Sequence, residues 1–130
     1  PTHADVAALM SQSHCGIFPS RAEGWNLELL EMMSMNKPVI ATNYSSHTEF
    51  CNKDNCYLID INESELAYDG KAFNGQGHWA KLNNDQIDQT IEYMRYAYKN
   101  RIDTNINGIN TAKKLSWENT ASILLGCIEN

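Results

Sequence analysis

Two glutamates, Glu23 and Glu31, stand eight positions apart in the stretch PSRAEGWNLELLE, residues 19–31. Gly24, Trp25 and Asn26 follow the first glutamate, and an apolar run leads to the second. Carboxylates so placed can accept hydrogen bonds from ligand hydroxyls, at about 1.5–3 kcal/mol per charged hydrogen bond. Gly24 has no Cβ, so the backbone beside Glu23 can approach a ligand closely. If the stretch leaves a strand and opens a helix, the helix start adds unpaired N–H groups and a partial positive charge. Together these features make a site for a phosphate group.

Local structure alone accounts for some of the same residues. Ser20-x-x-Glu23 fits a capping box, which would start a helix near Arg21 and place Gly24 inside it, at about 1 kcal/mol relative to alanine. The rival start has Asn26 at the N-cap and leaves 20–25 as a loop. It spares the internal glycine and is preferred. Glu28 and Glu31 share one line of the helix with no lysine four residues on, which a solvated polar face also explains.

The neighbouring elements decide where this stretch sits. HCGIFPS, ended by Pro19, reads as a buried strand, as do KPVIAT and CYLIDI. NLELLEMMSM is a helix apolar on most sides, and ADVAALMSQS carries a short helical stripe at Val6, Leu9 and Met10. Helices alternating with apolar strands imply a parallel sheet covered on both faces, the doubly wound α/β plan. In such sheets ligands bind beyond the carboxyl ends of the strands, which is where 19–31 falls. About three strands are expected, fewer than a complete doubly wound domain has, so the chain reads as the back half of one.

Residues 61–79 show no period and are expected to form a long loop. C-terminal helices are expected over 84–129. One carries the stripe Ile87, Ile91, Met94 and Tyr98, with Asn84 or Asp85 as cap. A weaker one is interrupted by Gly108, and the last is capped by Ser116. The whole of 1–130 is read as a single, partial domain.

Composition narrows the partners. The net charge is −6, and no basic cluster exceeds AKK near residue 113, which argues against nucleic acid. The longest apolar stretch, ASILLGCI, is too short to span a bilayer. The sequence opens on proline with no signal-peptide pattern, and a cytoplasmic location is expected. Cys51 and Cys56 bracket NKDN at a spacing that suits a small disulfide loop, but free thiols are the expectation for all four cysteines. His3, His14, His47 and His78 are scattered, so no metal site is expected. Asparagine is plentiful along the whole chain, with no functional reading attached.

The ordered segments resemble a known family. PSRAEGWNLELLEMMSMNKPVIAT is similar to the signature of retaining "group 1" glycosyltransferases of the GT-B fold, in which two glutamates are separated by seven residues. The similarity takes in DVAALMSQSHCGIFPS upstream and HTEF, GHWAKLNNDQIDQTIEYMRYAY and SWENTA downstream. The resemblance implies a Rossmann-like, C-terminal part of a donor-binding domain. Glu23 would be the catalytic-site carboxylate, accepting hydrogen bonds from the donor sugar. Glu31 would hold the ribose hydroxyls of the nucleotide. Gly24, Trp25, Asn26 and Leu27 would complete the donor site with their backbone amides. The partner would be a nucleotide-sugar, with no cofactor and no metal; no D-x-D occurs. The family's basic grip on the diphosphate and its acceptor domain would lie upstream, so this chain alone is expected to be inactive.

The chain also departs from the family pattern. Asn26 replaces a glycine and Trp25 a phenylalanine, Asn36 replaces a helix-ending glycine, and Tyr44-Ser45-Ser46-His47 replaces a glycine pair. Asparagine tolerates the left-handed backbone that a helix end requires. Asn26 would add an amide where the backbone meets the sugar. His47 reads as a polar loop residue, since nothing in the sequence fixes its tautomer. Trp79 and Trp117 read as packing anchors. Tyr93, Tyr96 and Tyr98 do not share a helix face. The alternative to an enzyme fragment is a non-catalytic α/β module for partner binding or oligomerisation through the incomplete sheet.

Overall fold

A computed structural model describes residues 2–128. The elements run α1 (His3–Gln12), β1 (Gly16–Phe18), α2 (Leu27–Ser34), β2 (Val39–Thr42), α3 (His47–Phe50), β3 (Tyr57–Ile59), β4 (Ser64–Tyr68), β5 (Asn74–Ala80), α4 (Asn84–Lys99), α5 (Ile106–Lys114) and α6 (Trp117–Ile128). Position 129, the last of the expected helical region, lies outside the described residues.

The three apolar segments pair as a parallel sheet in the order β1-β2-β3, with Ile17 opposite Ile40 and Ala41 opposite Leu58. The chain is thus a Rossmann-like α/β fold. Side chains alternate across a strand, so β2 serves two layers. Val39 and Ala41 pack with Leu29, Met32 and Met33 of α2 and with Phe50 in the main core. Ile40 and Ile59 are fully buried in the other layer, where Tyr57 meets Tyr93 and Tyr96 of α4. The second face is covered unevenly: Ile17, on β1, remains 38% exposed.

Helix α4 does not bury the stripe that its sequence displays. Ile87, Ile91, Met94 and Tyr98 face outward, and Gln86 and Ala97 are buried instead. The reason lies at the end of β3, where backbone groups need partners. Gln86 Nε2 donates to the Asp60 carbonyl at 2.8 Å, Asp60 N donates to Gln89 Oε1 at 2.8 Å, and the Tyr93 hydroxyl donates to the Leu58 carbonyl at 3.2 Å. The cap is Asn83, one residue before the expected pair, in a reciprocal box with Gln86. Helix α6 is capped by Ser116, whose Oγ accepts from Asn119 N, but it buries no residue. Trp117, expected to anchor packing, is 82% exposed.

Residues 61–79 are not a loop. They contain most of an antiparallel hairpin, β4 with β5, in which Leu66 faces His78 and Tyr68 faces Asn74. Almost every side chain of the pair is exposed, so no apolar alternation marks it in the sequence. Its turn is built on Asp69, whose Oδ1 accepts from the N–H groups of Lys71, Ala72 and Phe73 at 2.8–3.0 Å. The backbone bonds from Phe73 and Lys71 hold the Asp69 carboxyl below its ordinary value. A lowered folded-state value stabilises above the ordinary carboxylate range and is lost as pH falls through it. Protection of the Lys71–Phe73 amides, measured against their intrinsic exchange rates, is therefore expected to fall in acid before the rest of the chain unfolds, and Asp69→Asn is expected to flatten that dependence.

The abundant asparagines act as staples. Asn105 caps α5 by accepting from Gly108 N at 2.8 Å, while its Nδ2 donates to the carbonyls of Lys37 and Asn55 at 3.1 and 2.9 Å. Its own N–H donates to Asn36 Oδ1 at 2.7 Å. Asn55 is buried and donates to the Phe50 carbonyl and Thr111 Oγ1. These bonds seat α5 against α2. Gly108 does not interrupt α5; it leaves room for the cap, since a Cβ there would lie 2.5 Å from Asn105 Nδ2.

All four cysteines are free thiols, with Cys51 and Cys56 buried and Cys127 exposed. A hydrogen bond with Cys51, reinforced by burial, pushes the Cys56 thiol far up, and burial raises Cys15 to about 11. Thiolate is the reactive form. Native-state alkylation near neutral pH is expected to label Cys127 first and to spare Cys51 and Cys56, as mass spectrometry after timed quenching would show.

Candidate functional site

The loop 19–26 leaves the carboxyl end of β1 and turns into α2, and four separate contacts hold it. Thr42 Oγ1, at the end of β2, donates to the Ser20 carbonyl at 2.6 Å. Ser45 Oγ donates to the Glu23 carbonyl at 2.8 Å and accepts from Glu23 N at 3.3 Å. Ala80 N, at the end of β5, donates to the Arg21 carbonyl at 2.7 Å. The Trp25 ring packs on Phe50, with centroids 5.1 Å apart. Fixed backbone is what a site needs if its binding groups are main-chain amides.

Asn26 is the N-cap of α2, and its backbone is left-handed, with φ 70° and ψ 72°. This conformation explains why glycine suits the position and why asparagine can replace it. The same holds at Asn36, with φ 62°, and at Ser45, with φ 56°. The Asn26 side chain is buried and bonds within the protein through both its oxygen and its nitrogen. Its Oδ1 accepts from Leu29 N at 3.2 Å, so its Nδ2 is the group that faces His47 Nε2 at 2.9 Å.

These partners assign the tautomer of His47. A carbonyl only accepts, so Nδ1, 2.9 Å from the Thr42 carbonyl, carries the proton. Nε2 is then the acceptor for Asn26 Nδ2. His47 is buried to 1% exposure and acts as a strut between the end of β2 and the cap of α2. It is neither the loop residue expected from the sequence nor a free base, and the two interactions that fix it span 5 and 21 positions.

The consequence is a row of open donors. Among the described residues, no hydrogen bond within the protein takes up the N–H groups of Gly24, Trp25, Asn26, Leu27 or Glu28. Gly24 is exposed and has open space where a Cβ would project. Glu23 is exposed, and one of its oxygens accepts from Ser20 Oγ at 2.8 Å. The two residues of the possible capping box thus bond to each other, outside any helix. Glu31 lies one turn along α2 on the exposed line with Leu27, Glu28 and Ser34. Glu23, Gly24, Trp25, Asn26 and Leu27 are contiguous around the helix start; the Glu31 side chain makes no hydrogen bond or ion pair with them.

The surroundings are acidic. Arg21 is the cation of the loop, but its guanidinium is engaged by Glu65 and the Ala80 carbonyl and lies 3.9 Å above the centre of the Trp79 ring. Among the described residues no three His, Cys, Asp or Glu side chains gather in a way that could hold a metal ion. No helix of the described residues is long and apolar enough to cross a membrane. Sequence reasoning missed the roles of Ser45 and Arg21, because both act on partners far along the chain.

A parallel sheet whose strand ends lead to an open row of helix-start amides, flanked by exposed carboxylates, defines a Rossmann-like α/β protein. The chain belongs to the group 1 glycosyl transferases, whose family model matches residues 1–69. That span runs from α1 through β4 and holds the entire loop and α2. The likeness read further downstream, in GHWAKLNNDQIDQTIEYMRYAY and SWENTA, lies beyond the matched residues. No match is found among curated proteins.

Proposed function

We propose that this chain carries part of the donor site of a retaining glycosyltransferase that moves a sugar from a nucleotide-diphosphate donor to an acceptor hydroxyl. The observation that carries the reading is the row of unpaired N–H groups from Gly24 to Glu28, at the carboxyl end of a parallel strand. Such a row favours the negative charge that grows on a departing diphosphate. Glu23 then accepts hydrogen bonds from the sugar and Glu31 from the ribose. Gly24, Trp25, Asn26 and Leu27 contribute main-chain donors, since the Asn26 amide and the Trp25 ring are turned into the protein. Free thiols accord with a cytoplasmic location.

The acids around the helix start oppose a diphosphate, so the affinity of this chain alone is weak and its turnover negligible. Calorimetry with a nucleoside diphosphate tests the reading. Glu31→Gln is expected to weaken binding roughly tenfold through the lost charged hydrogen bonds. Equal affinity in both proteins would remove Glu31 from the site.

A second reading rests on a different observation. Helix α6 buries nothing, and Trp117, Ile123, Leu124, Leu125 and Ile128 are all exposed. Apolar surface of this kind marks interaction sites. On this reading the chain is a non-catalytic module that pairs with another copy of itself. Sedimentation that shows a monomer at all accessible concentrations would exclude that pairing.

A further inference from the structure

We propose that His47 is a positioning residue of the donor loop: its neutral imidazole holds the Asn26 side chain in the one orientation that caps α2, and a proton on Nε2 undoes that cap. The latch stands apart from the donor reading above; its effect on a ligand rests on that reading. Both members of the pair lie where the chain departs from the family pattern. Asn26 stands in place of a glycine, and His47 ends the stretch that replaces a glycine pair.

The hydrogen bonds of the pair leave no spare partner. Asn26 is buried, and its side chain offers one acceptor atom and one donor atom. The acceptor, Oδ1, takes Leu29 N at 3.2 Å, and the donor, Nδ2, reaches His47 Nε2 at 2.9 Å. Across the ring, Nδ1 lies 2.9 Å from the Thr42 carbonyl and 3.3 Å from Thr42 Oγ1. The Thr42 hydroxyl donates its proton to the Ser20 carbonyl, so both Thr42 atoms accept and Nδ1 carries the hydrogen. Nε2 is therefore bare, which is what Asn26 Nδ2 requires.

A second proton on the ring reverses this. Nε2–H would then meet the Asn26 amide nitrogen donor to donor. Turning the amide over would bring Oδ1 to the ring, but would aim Nδ2 at Leu29 N–H, again donor to donor. The imidazolium thus permits its own hydrogen bond to Asn26 or the Leu29 cap, and not both. Leu29 is fully buried, so no water replaces the lost cap unless the first turn of α2 opens. That opening moves the N–H groups of Gly24–Glu28.

The titratable groups on the elements around the ring are Glu23 of the loop, Glu28 and Glu31 of α2 and Glu49 of α3, all exposed, with half-buried Tyr44 before α3 and the buried Cys51 thiol after it. Arg21 is engaged by Glu65, and Phe50 meets the ring edge-on with centroids 6.5 Å apart. Among the described residues, the hydrogen-bond partners of the ring are Asn26 and Thr42, so a change of its charge acts first on them.

The test is an NMR titration of this chain between about pH 8 and pH 5, the range in which histidines change charge. Ring nitrogen-15 shifts report the His47 proton, and protection of the Leu29 amide, measured against its intrinsic exchange rate, reports the cap. That protection is expected to fall about fivefold as His47 charges. His47→Gln keeps an uncharged acceptor for Asn26 Nδ2 and is expected to hold Leu29 protection level. Asn26→Asp offers acceptors to both Leu29 N–H and an imidazolium, and aspartate tolerates the left-handed backbone. It is expected to keep the cap intact at the acid end with His47 charged, and it decides the matter if the glutamine variant does not fold. UDP and GDP are then titrated in turn at both ends of the range. Wild-type affinity is expected to drop toward acid about fivefold more than that of His47→Gln, a comparison that removes the protonation of the ligand itself. Leu29 protection unchanged while His47 charges, or an imidazole that stays neutral until the whole chain unfolds, overturns the proposal. So do Leu29 profiles or affinity profiles that match in wild type and His47→Gln. Unshifted Gly24–Leu27 amides with both diphosphates at the alkaline end overturn the donor reading alone.

Discussion

Replacing Asn26 with alanine is expected to lower stability by about 3 kcal/mol, and replacing it with glycine by about half as much. Alanine would hold a left-handed backbone at about 1–2 kcal/mol. It would also remove the cap on Leu29 N, worth about 1 kcal/mol, and leave His47 Nε2 buried without its donor, at about 1–3 kcal/mol. These terms overlap, because the strained residue and the orphaned groups relax together. Glycine keeps the backbone, costs little as a cap and admits water to the helix start, so chiefly the His47 term remains. Urea denaturation of the two variants gives the comparison. Equal losses would mean that backbone handedness does not govern this position. Because the same residue aims the amides of Gly24–Glu28, both variants are also expected to bind a nucleoside diphosphate more weakly.

Asn105→Ala is expected to cost about 3 kcal/mol, on the order of 10 °C in melting temperature for a domain of this size. It removes the cap on Gly108 and the donors to the Lys37 and Asn55 carbonyls. Those bonds tie α5 to the end of α2 and to the residue before Cys56. A sharper expectation concerns Gly108→Ala. Alone it forces a Cβ to within 2.5–2.9 Å of three Asn105 side-chain atoms and is expected to destabilise by about 1–3 kcal/mol. In the Asn105→Ala background that space is empty, and alanine is the better helix former. The two substitutions are therefore expected to be strongly non-additive, by more than about 1 kcal/mol. Additive losses would show that Gly108 has some other role.

The parallel strands and α2 were legible because each is a short apolar run bounded by turn residues. The cap at Asn26 was legible because the alternative start would bury a glycine inside the helix. The left-handed asparagine at Asn36 could be read from the glycine that the family keeps there. Other features depend on partners that no local window contains. The hairpin of 64–80 has almost no buried face, so its strands carry no alternation, and Gly75 and Gly77 weaken the pattern further. The period of α4 was visible, but which face turns inward is settled by Asp60 and Leu58, 26 to 35 positions before Gln86, Gln89 and Tyr93. His47 looked uncommitted because its acceptor and donor come from two different elements. Trp117 looked like an anchor on residue type alone, and type does not reveal what an exposed helix rests on.

The amides from Gly24 to Glu28 are proposed to receive the diphosphate of a nucleotide-sugar. A nitrogen-15 NMR titration of the chain with a nucleoside diphosphate tests it most directly. Shifts that saturate at Gly24, Trp25 and Leu27, with His47 side-chain signals following them, are expected at millimolar ligand. Unmoved signals at all three amides, with shifts elsewhere or nowhere, would contradict it.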